Sequence, residues 1–335
     1  MRPPSFKILL GAAAVVALLV ISGCGSNSDT GSETQQWEGF ASLDLTLDGE
    51  PDAEAAGLLT AEYLGLLRDG GVGLEVGTPL TPQRPIGYVV DDLADVVVSY
   101  LPQVVLAQEE GLPVVAFGSL VPHPTLAMIW LKGSGIDSVA DLKGKTIAIP
   151  GVPFQRDFLE AVLNQSGLTL GDVKVREGGY GLVTLLAEGK VDATFGGSGN
   201  VEGTALEARG LEPVVTPATE LGVPDYDELV FVTRRDRLAR HPDLYRHFVE
   251  LATAGTQAAK EDPASADKAV VAQYFGGATP GGIRAGVEAT LPLLSEDGQI
   301  DPARTADLVA WMHEEGMIRR EPPVSALVSD GGDSP

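Results

Sequence analysis

The stretch Ala94-Asp95-Val96-Val97-Val98-Ser99-Tyr100 decides the fold, because the chain repeats its pattern once. The stretch is followed by residues 101–110 and then by Gly111-Leu112-Pro113-Val114-Val115. Further along, Val191-Asp192-Ala193-Thr194-Phe195-Gly196-Gly197 leads through residues 200–209 to Gly210-Leu211-Glu212-Pro213-Val214-Val215. Each copy predicts a short buried strand, a helix closed by glycine and a second strand, which together make a βαβ unit.

The repeated unit predicts the α/β fold class with parallel sheets. In an open sheet of this kind, ligands bind beyond the carboxyl ends of the strands, where the strand-to-helix turns converge. We therefore expect a ligand site near Ser99-Tyr100 and residues 196–200. The alternation continues elsewhere, with helices predicted at 53–67, 154–165, 242–260, 264–274 and 302–314 and strands at 74–76 and 146–149.

Two crossings between lobes are predicted, because roughly 300 residues are enough for two cores rather than one. The first is the Pro-containing segment 118–124, which precedes an apolar strand at 126–131. The second is residues 226–233, which follow the turn Gly222-Val223-Pro224. The expected organisation is a first lobe at 39–122, a second lobe at 123–226, a return to the first lobe with C-terminal helices at 227–321, and a loose tail at 322–335.

The N-terminal segment resembles a bacterial lipoprotein signal peptide. Arg2 and Lys7 precede an apolar run at residues 8–20, which ends in Ile21-Ser22-Gly23-Cys24. The run is shorter than the ~20 residues of a membrane-spanning helix, the alternative interpretation. We expect removal of residues 1–23, acylation of Cys24 at the extracytoplasmic face of the membrane, and a flexible tether at 24–38.

Composition excludes several classes of function. The formal net charge of −24 argues against nucleic acid as a partner. Cys24 is the single cysteine, so neither an intramolecular disulfide nor a thiolate metal site can form. The four histidines show no metal-binding spacing. We expect no catalytic residue, metal or cofactor.

Four motifs together resemble the solute-binding proteins of ABC importers. They are similar to the branch that binds formylaminopyrimidine, a thiamine precursor, and that is related to nitrate, taurine and riboflavin binders. The resemblance implies a type II periplasmic-binding-protein fold, with two lobes closing on a small molecule. It also implies a permease and an ATPase as partners, and we expect a monomer. The motifs are Asp141-Leu142-Lys143-Gly144-Lys145-Thr146-Ile147-Ala148-Ile149-Pro150-Gly151, Glu188-Gly189-Lys190-Val191-Asp192-Ala193, Asn200-Val201-Glu202-Gly203 and Gly222-Val223-Pro224-Asp225-Tyr226-Asp227-Glu228-Leu229-Val230.

The chemistry of an aminopyrimidine selects the candidate ligand residues. Its amino group requires an acceptor at the ring edge, and its flat face favours an aromatic side chain. For two of the candidates below, a purely structural role stays open as the alternative to ligand binding. Glu202 could be favoured in the first turn of a helix by the helix dipole, and Tyr226 could only pack at the second crossing. The candidates are Asn200 and Glu202 as polar groups, Tyr100, Tyr180 and Tyr226 as aromatic groups, Gly197 for close backbone approach, Ser99 at the turn after a predicted strand, and Asp44, which matches the aspartate that opens the family's motif in this region.

One departure from the family pattern leaves the ligand open. Pyrimidine binders of the family have asparagine and histidine where this chain has Asp52 and Ala55. Riboflavin, a sulfonate or nitrate are therefore alternative ligands, and a two-lobed lipoprotein sensor is an alternative function. A pyrimidine synthase that resembles the family in fold would need the histidine that Ala55 replaces.

Lipidation of Cys24 is directly testable. We expect Cys24→Ser to abolish the incorporation of labelled palmitate and to prevent cleavage before residue 24, because serine offers no thiol for acylation. The matched change Ser26→Ala should leave both intact. Labelling of the Cys24→Ser protein would contradict the prediction.

Overall fold

The computed structural model describes residues 39–80, 85–273 and 280–329. The predicted signal peptide at 1–23, Cys24, the tether at 24–38 and the end of the predicted tail, 330–335, lie outside the described residues. Within the described ranges, none of the helices combines the length and the apolar character needed to cross a membrane.

The strands form two five-stranded sheets, numbered here in chain order. The first sheet has the spatial order β2 (Val72–Gly77), β1 (Ala41–Thr46), β3 (Val96–Tyr100), β10 (Leu229–Arg234) and β4 (Val114–Val121). The second sheet has the order β7 (Lys174–Glu177), β6 (Thr146–Ile149), β8 (Ala193–Ser198), β5 (Leu126–Leu131) and β9 (Pro213–Pro217).

The α/β class with two sheets is confirmed, but both sheets are mixed rather than purely parallel. Strand β10 runs antiparallel to β3 and β4, and β5 runs antiparallel to β8 and β9. These are the two strands that enter a sheet directly from the other one, through residues 122–125 and 218–228. A βαβ connection makes its strands parallel, whereas a direct crossing imposes no such direction.

Helices surround the sheets and differ from the expectation at two places. Gly65, with φ at +78°, follows the first helix, so the helix predicted at 53–67 is divided. The helix predicted at 200–209 begins instead with a π-helical turn, Gly199–Gly203. The α-helices are α1 (Ala56–Tyr63), α2 (Leu66–Asp69), α3 (Pro85–Val90), α4 (Leu101–Glu109), α5 (Pro153–Gln165), α6 (Leu182–Ala187), α7 (Thr204–Glu207), α8 (Arg235–Arg240), α9 (Pro242–Glu261), α10 (Pro263–Gln273), α11 (Pro280–Thr290) and α12 (Pro302–Glu314).

Two hydrophobic clusters place the sheets beside each other. One face of the first sheet packs against α1, α9 and α10, with Phe231 and Phe248 at its centre. Its other face shares a cluster with the second sheet, in which Val97 and Val230 join Phe154 of α5. The apolar core is therefore continuous from one sheet to the other, and it leaves the carboxyl ends of the strands free to form a site.

Close packing of α1 against α9 depends on glycine. A Cβ atom at Gly255 would overlap the carbonyl oxygen of Gly57 and the side chain of Ala61. The two backbones therefore approach each other more closely than any larger residue allows.

We expect Gly255→Ala to lower the free energy of unfolding by about 1–3 kcal/mol, because overpacking forces the two helices apart. Urea denaturation would measure the change. The matched control is Gly171→Ala, where a Cβ would lie 3.5 Å from Thr169 Oγ1, an ordinary contact. Equal free energies of unfolding for the two variants would contradict the prediction, because they would show that α1 and α9 can shift apart without loss of stability.

Candidate functional site

A cavity of about 540 Å³ lies between the two sheets, at the carboxyl ends of their strands. The first sheet contributes the loop 48–54 after β1 and Tyr100 at the end of β3. The second sheet contributes residues 150 and 152 after β6, residues 179–184 after β7, and residues 196–198 of β8. This is the edge of an α/β sheet at which ligands are expected.

Carboxyl groups dominate the polar wall of the cavity. Two of them are almost completely buried, since Glu54 is 6% exposed and Glu228 is 2% exposed. Among the described residues that line the cavity, one is basic, and this residue, Arg209, is exposed. Five carboxyl side chains on the wall are buried or half-buried and are called the wall carboxyls below: Asp48, Asp52, Glu54, Glu202 and Glu228. A sixth carboxyl, that of Glu50, also lines the cavity but is exposed.

Glu54 links elements from both sheets. Its Oε1 accepts a hydrogen bond from Thr125 Oγ1 at 2.8 Å and from Asn200 Nδ2 at 3.3 Å. Thr125 belongs to the first crossing, and Asn200 follows β8 of the second sheet. The Asn200 amide also donates to Thr290 Oγ1 at 2.8 Å, at the end of α11. The buried carboxyl is thus held by donors from separate parts of the fold.

The other four wall carboxyls each accept a hydrogen bond that orients them on the wall. The donors and distances are Tyr100 Oη to Asp48 Oδ2 at 3.0 Å, Glu54 N–H to Asp52 Oδ1 at 2.9 Å, Ser198 N–H to Glu202 Oε2 at 2.7 Å, and Thr125 N–H to Glu228 Oε2 at 3.1 Å.

Burial raises the pKa of every carboxyl in this group. Burial and then repulsion from Glu54 raise the pKa of Asp48 to about 7 and that of Glu228 to about 8. Burial, opposed by the Ser198 N–H bond and reinforced by Glu54, raises the pKa of Glu202 to about 7. The pKa values of Asp52 and Glu54 also rise, with burial as the largest cause. Part of these carboxyls is therefore protonated near neutral pH.

Two tyrosines supply aromatic surface beside these acids. Tyr100 packs against Phe154, with ring centroids 5.3 Å apart, and its hydroxyl is held by Asp48. Tyr180 also lines the cavity and is 42% exposed. Gly197 leaves room for Glu202, because a Cβ atom there would lie 2.8 Å from the carboxyl carbon. The carboxyls of the wall can therefore accept hydrogen bonds from a ligand, and a flat ring of the ligand can pack against the tyrosine rings.

The structure brings together five of the eight candidate residues. Four of these line the cavity, and Asn200 is bonded directly to its wall through Glu54. One oxygen of Glu202 accepts the Ser198 N–H at the start of the turn, and the side chain lines the cavity, so its role as a ligand residue stays a prediction. The four lining residues are Tyr100, Tyr180, Gly197 and Glu202.

Three candidates lie away from the wall. Asp44 is exposed on β1, where its N–H donates to Asp95 Oδ2. The Ser99 hydroxyl is buried and bonds Gln103. Tyr226 is completely buried in the core beside Phe158, which agrees with its packing interpretation.

Sequence reasoning missed most of the acids. Asp52 is identified from the sequence only as a replacement for asparagine, and Asp48, Glu54 and Glu228 are not among the sequence-predicted candidates. The available signal was the acidic run 48–54, which directly follows a strand of the first sheet. Glu228 gave no local signal, because only the return crossing brings it to the cavity.

The overall architecture matches solved periplasmic binding proteins. The structure of the aliphatic sulphonate binding protein SsuA from Escherichia coli aligns with a TM-score of 0.66 and 16% identity, covering 86% of this chain and 92% of that one. The class that the fold defines is thus the two-lobed periplasmic-binding-protein fold.

The chain belongs to the family described as NMT1/THI5 like, which matches residues 52–266. It is 28% identical to a formylaminopyrimidine-binding protein of Halalkalibacterium halodurans over 77% of this chain and 76% of that protein. It is 24% identical to a 4-amino-5-hydroxymethyl-2-methylpyrimidine phosphate synthase of Schizosaccharomyces pombe over 62% of each. The recognised family is confirmed.

The raised pKa values predict the pH dependence of stability. A carboxyl with a higher pKa in the folded protein binds more protons there than in the unfolded chain, so stability falls as pH rises from its unfolded pKa to its folded one. We expect the unliganded protein to lose on the order of 1 kcal/mol per pH unit between pH 5 and 8.

Chemical denaturation across this range would measure the slope. Glu228→Gln should flatten it, because glutamine keeps an acceptor for the Thr125 N–H and removes one titrating group. Glu75→Gln, at an exposed position of β2, is the matched control and should leave the slope unchanged. A stability that rises from pH 5 to pH 8 would contradict the assignment.

Proposed function

We propose that this protein is the extracytoplasmic solute-binding component of an ABC importer and that its ligand is a pyrimidine precursor of thiamine. One observation carries the proposal: a cavity lined by carboxyls and tyrosines lies between the two sheets of a chain in this family. Its volume of about 540 Å³ falls within the range usual for small-molecule sites. The formylaminopyrimidine-binding relative supports the same ligand class.

The wall suits an aminopyrimidine. The exocyclic amino group is a hydrogen-bond donor, which the Glu54 and Glu202 carboxyls can accept. The flat ring can pack against Tyr100 or Tyr180, as aromatic groups do in offset or edge-to-face contacts. Asn200 would act indirectly, because its side-chain amide donates a hydrogen bond to Glu54 and holds that carboxyl in position for the ligand.

Transport would follow from closure of the two lobes. A ligand that contacts both sheets binds the closed arrangement better than the open one, and this difference in affinity shifts the population toward closure. Acylated Cys24 would keep the protein beside its permease and ATPase at the extracytoplasmic face. We propose that the protein acts as a monomer and catalyses no reaction.

A pyrimidine synthase is the second candidate, because the Schizosaccharomyces pombe relative carries that name. Ala55 stands where such an enzyme would need histidine. Its side chain is buried in the core beside α1. An alanine there supplies neither a nucleophile nor a proton carrier, so the binding function is favoured.

A thermal-unfolding screen tests the ligand class with formylaminopyrimidine, hydroxymethylpyrimidine, thiamine, riboflavin, taurine and nitrate. A ligand at a hundred times its Kd adds ~2.7 kcal/mol of stability, and we expect this from a pyrimidine. Tyr180→Ala should weaken binding by up to about tenfold through loss of ring contact. Tyr63→Ala is the matched control, because Tyr63 is similarly exposed, at 46%, and lies outside the cavity wall. Stabilisation by taurine or nitrate alone would overturn the pyrimidine assignment.

A further inference from the structure

We propose that the cavity takes its ligand as an organic cation, an aromatic ring bearing an ammonium or quaternary nitrogen. The inference rests on the proposed binding function of the same cavity and adds the charge of the ligand. A neutral ring would satisfy the aromatic wall and some of the acceptors, but it would leave the wall carboxyls without a positive partner.

The first argument is the missing counter-charge. None of the ion pairs among the described residues includes any of the five wall carboxyls. Buried charges in proteins are normally paired. Without a cation from the described chain, the wall carboxyls can be neutral only by protonation. A cationic small molecule in the cavity would reach several of them together and pair with their ionised form.

The second argument is that two of the wall carboxyls each have an oxygen that accepts no hydrogen bond from the described residues. Asp52 Oδ1 accepts the Glu54 N–H, while Oδ2 accepts no hydrogen bond from the described residues. Glu202 is bonded through Oε2, both to the N–H and to the hydroxyl of Ser198, and its Oε1 has no bond within the same part of the chain. Both side chains line the cavity, so these oxygens can receive N–H donors of a ligand.

The third argument is the combination of acids with tyrosine rings. A cation placed over an aromatic face is attracted by the negative face of the ring, and the gain is larger where water is excluded. Tyr100 and Tyr180 offer such faces on the same wall as the acids. A metal ion fits less well, because no group of three or more Asp, Glu, His or Cys side chains in the described ranges is arranged to hold one.

Binding of a fixed cation should release protons. Because the wall carboxyls have raised pKa values, part of them is protonated in the empty cavity at neutral pH, and a cation favours their ionised form. Affinity should therefore increase from pH 6 to pH 8. The charged or titratable groups lining the cavity are Asp48, Glu50, Asp52, Glu54, Tyr100, Tyr180, Glu202, Arg209 and Glu228.

Calorimetric titration of the full-length protein with a matched pair of ligands tests the proposal. The pair is aminomethylpyrimidine, whose amine is an ammonium at pH 7, and formylaminopyrimidine, in which a neutral formamide caps the same nitrogen. We expect the ammonium form to bind about tenfold or more tightly, as for hydrogen bonds to charged groups. Thiamine, whose quaternary nitrogen has a fixed charge, supplies the pH series from 6 to 8.

Two variants locate the effect. Asp52→Asn keeps an oxygen for the Glu54 N–H and removes one charge, so the preference for the ammonium ligand should fall by about tenfold. Glu202→Gln is the second variant, with the same expectation. The exposed Asp137→Asn is the matched control and should keep the full preference.

The outcomes separate the inference from the proposed function. Equal or tighter binding of formylaminopyrimidine overturns the inference and leaves the binding function standing. A preference for the ammonium form that persists in both Asp52→Asn and Glu202→Gln also overturns it. Failure of all three ligands to bind overturns both proposals.

Discussion

The buried Glu54 carboxyl is the interaction on which the site depends. A carboxyl that is 6% exposed needs hydrogen-bond donors, because burial removes the water that would otherwise solvate it. Its donors come from Thr125 in the first crossing and from Asn200 after β8. Neither sheet alone supplies both, so this carboxyl is satisfied only where the two sheets meet. The site is consequently a property of the assembled fold.

The remaining acids give the site its electrostatic character. Glu54 appears among the causes that raise the pKa of Asp48, Asp52, Glu202 and Glu228, after burial itself. Mutual repulsion in a poorly solvated space costs folding stability, and proteins keep such arrangements mainly at functional sites. If the ligand is a cation, as we infer, its positive charge would relieve that repulsion. The same groups would then couple binding, closure and pH.

The crossing strands explain how the wall is assembled from distant residues. Strand β5 carries the chain from the first sheet into the second, between β8 and β9, and β10 carries it back between β3 and β4. Thr125 and Glu228 lie in the residues immediately before these strands, and the Thr125 N–H donates to the Glu228 carboxyl. The two crossings are thereby fixed side by side. This exchange of strands makes both sheets mixed and places the crossings in the cavity wall.

The sequence by itself determined the fold class, the two βαβ repeats and the edge at which a site would lie, because strand periodicity and turn position are local properties. Tyr100 and Gly197 follow from these turns, whereas Tyr180 and Glu202 were predicted from the chemistry of an aminopyrimidine and from the family resemblance; all four line the cavity. Tertiary structure alone decided the rest. Tyr226, an aromatic ligand candidate with packing at the crossing as its alternative, is completely buried beside Phe158 of α5. Glu54 and Glu228 meet across 174 positions of sequence, and no local pattern records such a contact. Burial and long-range proximity set their charge state, and both arise only when the chain is folded.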